Sequence, residues 1–413
     1  VPLSDPDDVR DHLVAATRRA VAHAVAGTVP LTDAVVRVPS SHYVDPDRWN
    51  AERDQVFRRL PLVLALSAEL PAANTWVARD VLGVPVLVVR GDDGTVRAFV
   101  NSCSHRGAPV AADGRGEGRR LVCPYHAWSY STRGALVGVL DGESFGHVEP
   151  DCHGLTALPC DERAGFVFGG VDPVHGLAVT VDEHLGDYAA LLERLGLGEC
   201  RHLGSQTIPG PNWKIAYDGY LDLYHLPVLH KRTFGADYSR TSVSDAYGPH
   251  QRLMQPDQRL ERLADRPESA WTDAMITGGI WTIFPHVSIA RFEVPRTDGA
   301  GSEPMYLVSQ LLPGPGVGES RTVQHFLGAF DAETVAPDVV DSRMAFFHHV
   351  VADEDYATGF AIQAGLATGA KPYVQFGRNE GAGQRFHAWL DHLLSNEAAE
   401  SQAEPGIVTP VTG

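Results

Sequence analysis

Apolar positions recur at helical spacing over residues 9–25, where Ala, Arg and Val dominate and Asp5 stands where it can cap the first turn. From Trp76 onward the pattern shortens to β-branched runs separated by turn residues. Runs at 84–90 and 96–100 flank Gly91-Asp92-Asp93-Gly94, and runs at 121–123, 128–131 and 136–140 surround Thr132-Arg133-Gly134. A further run at 165–169 closes a small all-β domain over residues 55–172. Beyond it the texture is mixed. Residues 187–197 and 213–224 have helical spacing on either side of a break at 208–212, segments 279–289, 305–312 and 321–330 alternate like antiparallel strands, and 339–366 is a long apolar-periodic helix. The pattern predicts an α+β chain: a helical segment (1–54) packing on the larger domain, the all-β domain (55–172), a larger domain of helices beside an antiparallel sheet (173–394), and a loose tail (395–413).

Composition narrows the function classes. A chain of 413 residues, 44% hydrophobic and 21% charged, exceeds one compact core and is neither disordered nor fibrous. Lys plus Arg is 34 against 52 for Asp plus Glu, a net charge of -18, the wrong sign for gripping a phosphate backbone, so no nucleic-acid partner is expected. Five cysteines, an odd number, and a beginning without basic and apolar signal regions predict a reducing, cytoplasmic setting. No apolar run approaches the roughly 18 residues of a spanning helix, so no membrane association is expected.

Specific chemistry begins at Asn101-Ser-Cys103-Ser-His105-Arg-Gly107 and Cys123-Pro-Tyr-His126-Ala-Trp128. Each loop between predicted strands supplies one thiol and one imidazole. A structural zinc site also uses two Cys and two His, but its familiar spacings pair Cys with Cys and His with His. A Rieske [2Fe-2S] cluster needs two Cys on one iron and two His on the other, which one Cys and one His per loop provides. Cys152, Cys160 and Cys200 have no partner pattern and read as structural thiols.

This segment resembles the Rieske domain of Rieske non-haem iron oxygenases, through Cys123-Pro-Tyr-His126-Ala-Trp-Ser-Tyr followed by Gly134-x-Leu136. Respiratory Rieske proteins carry two further cysteines in a bracing disulfide; here those positions are Ala108 and Tyr125, and Trp128 replaces a serine that bonds a bridging sulfide. The resemblance therefore implies a cluster of low potential.

A second constellation lies downstream: Asn212-Trp-Lys-Ile-Ala-Tyr-Asp218-Gly-Tyr-Leu-Asp222-Leu-Tyr-His225-Leu-Pro227-Val-Leu-His230. Positions 218, 222 and 225 are spaced to share one helical face, and Pro227 interrupts the helix so that His230 can swing back toward His225. Alone, this would read as a helix end with two satisfied histidines. After Asn-Trp-Lys, however, the D-x-x-H-x-x-x-x-H pattern resembles the mononuclear iron motif of the same oxygenases, the alpha subunits of aromatic-ring-hydroxylating dioxygenases. The resemblance implies a facial triad of two His and one carboxylate. The third ligand is expected within Asp353-Glu354-Asp355; periodicity does not choose among these acids, and the family's spacing favours Asp355, then Glu354. His286 stands where typical members carry Asn.

The resemblance further implies a helix-grip-like catalytic domain, one Rieske [2Fe-2S] cluster and one mononuclear Fe(II), and a reductase or ferredoxin as electron donor. It also implies a homotrimer, with or without a small beta subunit, in which Asp222 links His225 to a cluster histidine of a neighbour, His126. Asp218, Gly219, Phe284, Val287 and Leu307 are expected to line the pocket, with Phe326 a further strand candidate, for dioxygen and a small hydrophobic or aromatic substrate. Dihydroxylation, monohydroxylation and oxidative demethylation all remain open. A pure electron-transfer protein would leave the second constellation without use.

Overall fold

The computed structural model describes residues 5–235 and 242–395. The predicted tail lies, past Ser395, outside the described residues. The chain divides into two compact units. One comprises Phe57–Leu185 with Gly196–His202; the other comprises Val1–Val56, Gly186–Leu195 and Leu203–Gly413.

The first unit is all β. Val84–Arg90 buries four successive residues, Val86 to Val89, because strands cover it on both edges and side chains cover both faces. It pairs antiparallel with Val96–Val100 on one side and Thr75–Val81 on the other, the first through the turn in which the Gly91 N–H bonds Thr95 O and Gly94 sits at φ 76°. Ala157–Leu158 and Gly114–Glu117 complete a five-stranded sheet. Arg120–Val122, Ser129–Ser131 and Leu136–Gly138 form a three-stranded sheet, and Leu62–Leu66, Phe166–Gly169 and Cys160–Arg163 form another.

The second unit is built on a seven-stranded antiparallel sheet in the order Arg201–Gly210, Ser320–Gly328, Ser302–Pro313, Val287–Pro295, Ile280–Ile283, His250–Met254, Val243–Tyr247. The strand expected at 279–289 is two strands joined by a turn at Phe284-Pro285-His286. The break read at 208–212 is instead the end of Arg201–Gly210, where Pro209 is tolerated because this strand lies at the sheet edge. The helix Pro6–Ala26, capped by Asp5 as its spacing predicts, packs in this unit against Gln258–Glu261 and Asp273–Ile276. The helix Gly381–Leu394 was not legible as a separate apolar repeat, yet it buries Phe386, His387 and Leu390.

Two departures from the predicted helices shape the site. The helix expected over 213–224 ends at Leu221; Asp222 is its extended C-cap at φ -102°, and His225 caps the next short helix, Leu226–Leu229. Pro227 lies in the first turn of that helix, where its missing N–H costs nothing, while its ring forbids a continuous helix from upstream. Asp218, Asp222 and His225 therefore do not share one helical face. The helix expected over 339–366 widens in its middle: α-helical Pro337–His349 passes into a π-helical stretch, Val350–Tyr356, then α-helical Ala357–Ala367.

Candidate metal centres

The two cysteine loops of the first unit are copies of one hydrogen-bonding pattern. Cys103 N–H donates to Ala108 O and Gly107 N–H to Cys103 O, both at 2.8 Å; Cys123 N–H donates to Trp128 O at 2.8 Å and Ala127 N–H to Cys123 O at 3.0 Å. Each loop places a left-handed residue four positions after its cysteine, Gly107 at φ 81° and Ala127 at φ 55°. Asn101 braces the first loop, its side-chain oxygen accepting from the Val110 and Ala111 N–H groups.

Cys103 and Cys123 are buried free thiols in one core cluster, and the His105 and His126 rings lie 4.6 Å apart. His105 Nδ1 is buried and without a hydrogen-bond partner. A buried imidazole nitrogen left bare beside two buried thiols is a donor set that fits a cluster, since an unpaired polar atom is otherwise costly. Tyr130, which ends the second cysteine motif, lies with its hydroxyl 3.2 Å from Cys103 Sγ and accepts the Ser104 N–H at 3.0 Å. Burial and the Cys103 contact push the phenol up to about 12, so it keeps its proton and donates to the sulfur. This hydroxyl gives one cysteine sulfur a hydrogen bond; the visible signal was the Tyr two residues after Trp128.

In the second unit His225 and His230, at the two ends of the short helix Leu226–Leu229, converge with Asp355 of the π-helical stretch. His225 Nε2 is 3.2 Å from His230 Nε2, and Asp355 Oδ1 is 3.0 Å from His230 Nε2 and 3.6 Å from His225 Nε2. Both outer nitrogens are held by carboxylates: His225 Nδ1 by Asp222 at 3.2 Å and His230 Nδ1 by Glu354 at 2.6 Å. Thr233 fixes the other Glu354 oxygen at 2.5 Å. Burial alone would lower the His225 imidazole, but its bonds to Asp222 and Asp355 outweigh it and push it up to about 9. Burial likewise works against the Asp355 carboxylate, yet the two imidazoles hold it below its usual range. A point that stabilises positive charge this strongly, with two imidazoles braced from behind, has the chemistry of a divalent-metal site.

The Asn-Trp-Lys motif holds up the helix Trp213–Leu221. Asn212 caps it by accepting from Lys214 N–H, while Trp213 Nε1 and Lys214 Nζ both donate to Glu52 Oε2, at 2.9 and 2.5 Å. Lys214 and Glu52 are fully buried, a pair whose loss of one member costs about 3–5 kcal/mol.

A cavity of about 290 Å³ reaches His225 and Asp355 and is walled by Asp218, Gly219, Asp222, Tyr43, Phe376 and Glu380, among others. Asp218 accepts from the Tyr43 hydroxyl at 2.8 Å and pairs with His387 Nε2 at 3.0 Å. Burial, then the Asp222 and Asp218 charges, push Glu380 upward. Phe284, Val287 and Leu307 do not line this cavity; they are buried, Phe284 against Phe386 and Leu307 in a cluster with Met305 and Phe326. His286 is buried at its turn and is no member of the converging group.

Two family models match the chain. Residues 61–144 match the model of the Rieske [2Fe-2S] domain, and residues 197–396 match that of the ring hydroxylating alpha subunit (catalytic domain). The carnitine monooxygenase oxygenase subunit of Escherichia coli is 34% identical over 197 residues, 47% of this chain; the chain spans about half, 52%, of that relative's length. The subunit of the same description from Acinetobacter baumannii is 26% identical over 86% of this chain and 93% of its own length. Naphthalene 1,2-dioxygenase from Rhodococcus sp. shares the fold, with a TM-score of 0.70 at 19% identity over 93% of this chain and 99% of its own. Among the described residues no helix is long and apolar enough to cross a membrane.

Proposed function

Since this chain joins a Rieske [2Fe-2S] domain to the catalytic domain of ring-hydroxylating alpha subunits and so belongs with the Rieske oxygenases, we propose that it is the terminal oxygenase component of such a system. The observation that carries the reading is the convergence of His225, His230 and Asp355, each histidine braced from behind, in a chain that also holds the two-Cys, two-His loop pair. A cluster held by Cys103, His105, Cys123 and His126 would pass single electrons, and ferrous iron held by His225, His230 and Asp355 would activate dioxygen. Asp222 orients His225 by accepting its Nδ1–H, and the carboxylate is 27% exposed, so a second donor can reach it. That donor is an imidazole N–H of a neighbouring copy's cluster loop, His126, in a homotrimer fed by a reductase or ferredoxin.

The substrate is a small hydrophobic or aromatic molecule that undergoes hydroxylation. A specific observation favours the demethylating alternative: besides Asp355, the cavity presents Asp218, Asp222 and Glu380, with no Lys or Arg on its wall among the described residues, alongside the rings of Tyr43, Tyr220, Tyr356 and Phe376. Carboxylates and aromatic faces suit a methylated ammonium group and repel an aromatic acid. The test is turnover with a surrogate reductase on neutral arenes, aromatic acids and methylated amines, with formaldehyde measured beside hydroxylated product. Formaldehyde from the amines alone selects demethylation; diols from arenes select ring hydroxylation; no oxygen incorporation into any substrate contradicts the oxygenase reading.

A further inference from the structure

The ligand histidines of such a centre are ordinarily oriented by a hydrogen bond from the outer ring nitrogen to a carboxylate or carbonyl, the device used here at His225 and His230. His105 is held differently. The Trp128 indole lies face to face with it, centroids 5.1 Å apart and planes 12° apart. Phe145 meets the same imidazole edge-on at 5.3 Å and 84°, and meets Trp128 at 5.5 Å and 72°. The three rings form a closed wedge. Among the described residues His126 has no such enclosure: apart from His105 its ring neighbour is Tyr125, 58% exposed.

Phe145 reaches this place from the short helical turn Gly142–Phe145, and it keeps 48% of its surface exposed while Trp128 is 2% exposed. An aromatic ring left half in solvent on a polar loop has no core to fill; what it covers is the edge of His105 and of Trp128. The geometry points to Phe145 as a positioning residue for the cluster, one that with Trp128 fixes the His105 ring plane by packing and keeps water from one side of the centre. The physical consequence has a sign. Reduction adds one negative charge, and a dry apolar wall disfavours that charge, so removing the wall stabilises the reduced state and raises the potential.

The inference rests on the cysteine and histidine quartet holding a cluster, and the test separates the two. Iron, acid-labile sulfide, the reduction potential and the electron paramagnetic resonance of the reduced state are measured on the full chain and on Phe145→Ala and Phe145→Leu. Sulfide absent from the native protein defeats the cluster reading itself. With sulfide present, Phe145→Ala is expected to displace the g-values and raise the reduced-to-oxidised ratio at fixed poise at least threefold, which is roughly 30 mV for a one-electron couple. Phe145→Leu restores the apolar cover without the ring, so its potential returns toward native while its g-values stay displaced. If Phe145→Ala loses its cluster and Phe145→Leu keeps it, displaced g-values in the latter support the proposal and native ones overturn it. Native potential and g-values in a sulfide-replete Phe145→Ala protein overturn it, as does loss of the cluster from both variants, which would make Phe145 a requirement of assembly.

Discussion

His230 Nδ1 lies 2.6 Å from Glu354 Oε2, while the next residue in the chain, Asp355, sits 3.0 Å from the opposite nitrogen of the same ring. Two consecutive carboxylates thus serve one imidazole from its two sides. An ordinary α-helix would turn successive side chains well apart, and the π-helical widening over Val350–Tyr356 is what lets both reach His230. The division of labour follows from position. Asp355 faces the convergence point with His225, and Glu354 stands behind His230 and orients it.

Replacing these acids should therefore have unequal effects. Asp355→Ala removes a converging oxygen and is expected to leave the second unit without iron while the cluster spectrum stays intact. Glu354→Gln keeps a hydrogen-bonding group behind His230 and is expected to weaken Fe(II) affinity roughly 10- to 100-fold. Anaerobic iron titration of both variants checks this; iron retained in Asp355→Ala and lost in Glu354→Gln would reverse the assignment.

Asp222→Asn should separate electron delivery from metal binding. The amide can still accept a hydrogen bond from His225 Nδ1 but cannot carry the negative charge that pushes this imidazole up. Cluster and iron content are expected to stay near native, while product from a single turnover of the prereduced protein falls roughly tenfold or more. A native single-turnover yield would place the electron path elsewhere.

Tyr130→Phe deletes the hydroxyl that donates to Cys103 Sγ. That bond withdraws electron density from the sulfur and favours the reduced cluster. Its loss should lower the potential by roughly 40 mV, the one-electron equivalent of about 1 kcal/mol. Because the phenol is pushed up to about 12, the native potential should show no contribution from this group's ionisation between pH 6 and about pH 10. Redox titration of both proteins across that range is the check.

Ala127 occupies the left-handed region at φ 55°, in the place that Gly107 fills in the matching loop. A Cβ is strained there, so Ala127→Gly is expected to stabilise the folded protein by about 1 kcal/mol without moving the cluster spectrum. A lower unfolding midpoint would show that the loop is held by something other than this conformation.

The sequence exposed the two centres unequally. The quartet was readable because a cluster of this type needs one Cys and one His in each loop, and Cys103, His105, Cys123 and His126 state that requirement in local spacing alone. His225 and His230 were readable as a pair. Their backing was not: Asp222 was expected beside His225 through a shared helical face, whereas the contact arises because the helix stops at Leu221 and the chain turns. The acids at 353–355 defied periodicity because an α-helical period does not apply where the helix widens. Val287 and Leu307 lie on strands, where apolar character marks only the buried side, and both core and cavity are buried; Phe284 sits in the turn between two strands and packs on Phe386. Tyr43, Phe376 and Glu380 belong to segments without a chemical motif, more than 300 residues apart in the case of Tyr43 and Phe376, and only folding brings them to one wall.

The most direct test is metal and sulfide analysis with visible spectroscopy of the anaerobically purified chain, its His126→Ala variant and its His225→Ala variant. Native protein should hold two irons and two sulfides per chain in a coloured cluster, with one further iron. His126→Ala should lose the colour and the sulfide but retain the further iron, and His225→Ala should lose that iron while remaining coloured. A colourless, sulfide-free native protein, or colour unchanged in His126→Ala, would contradict the account.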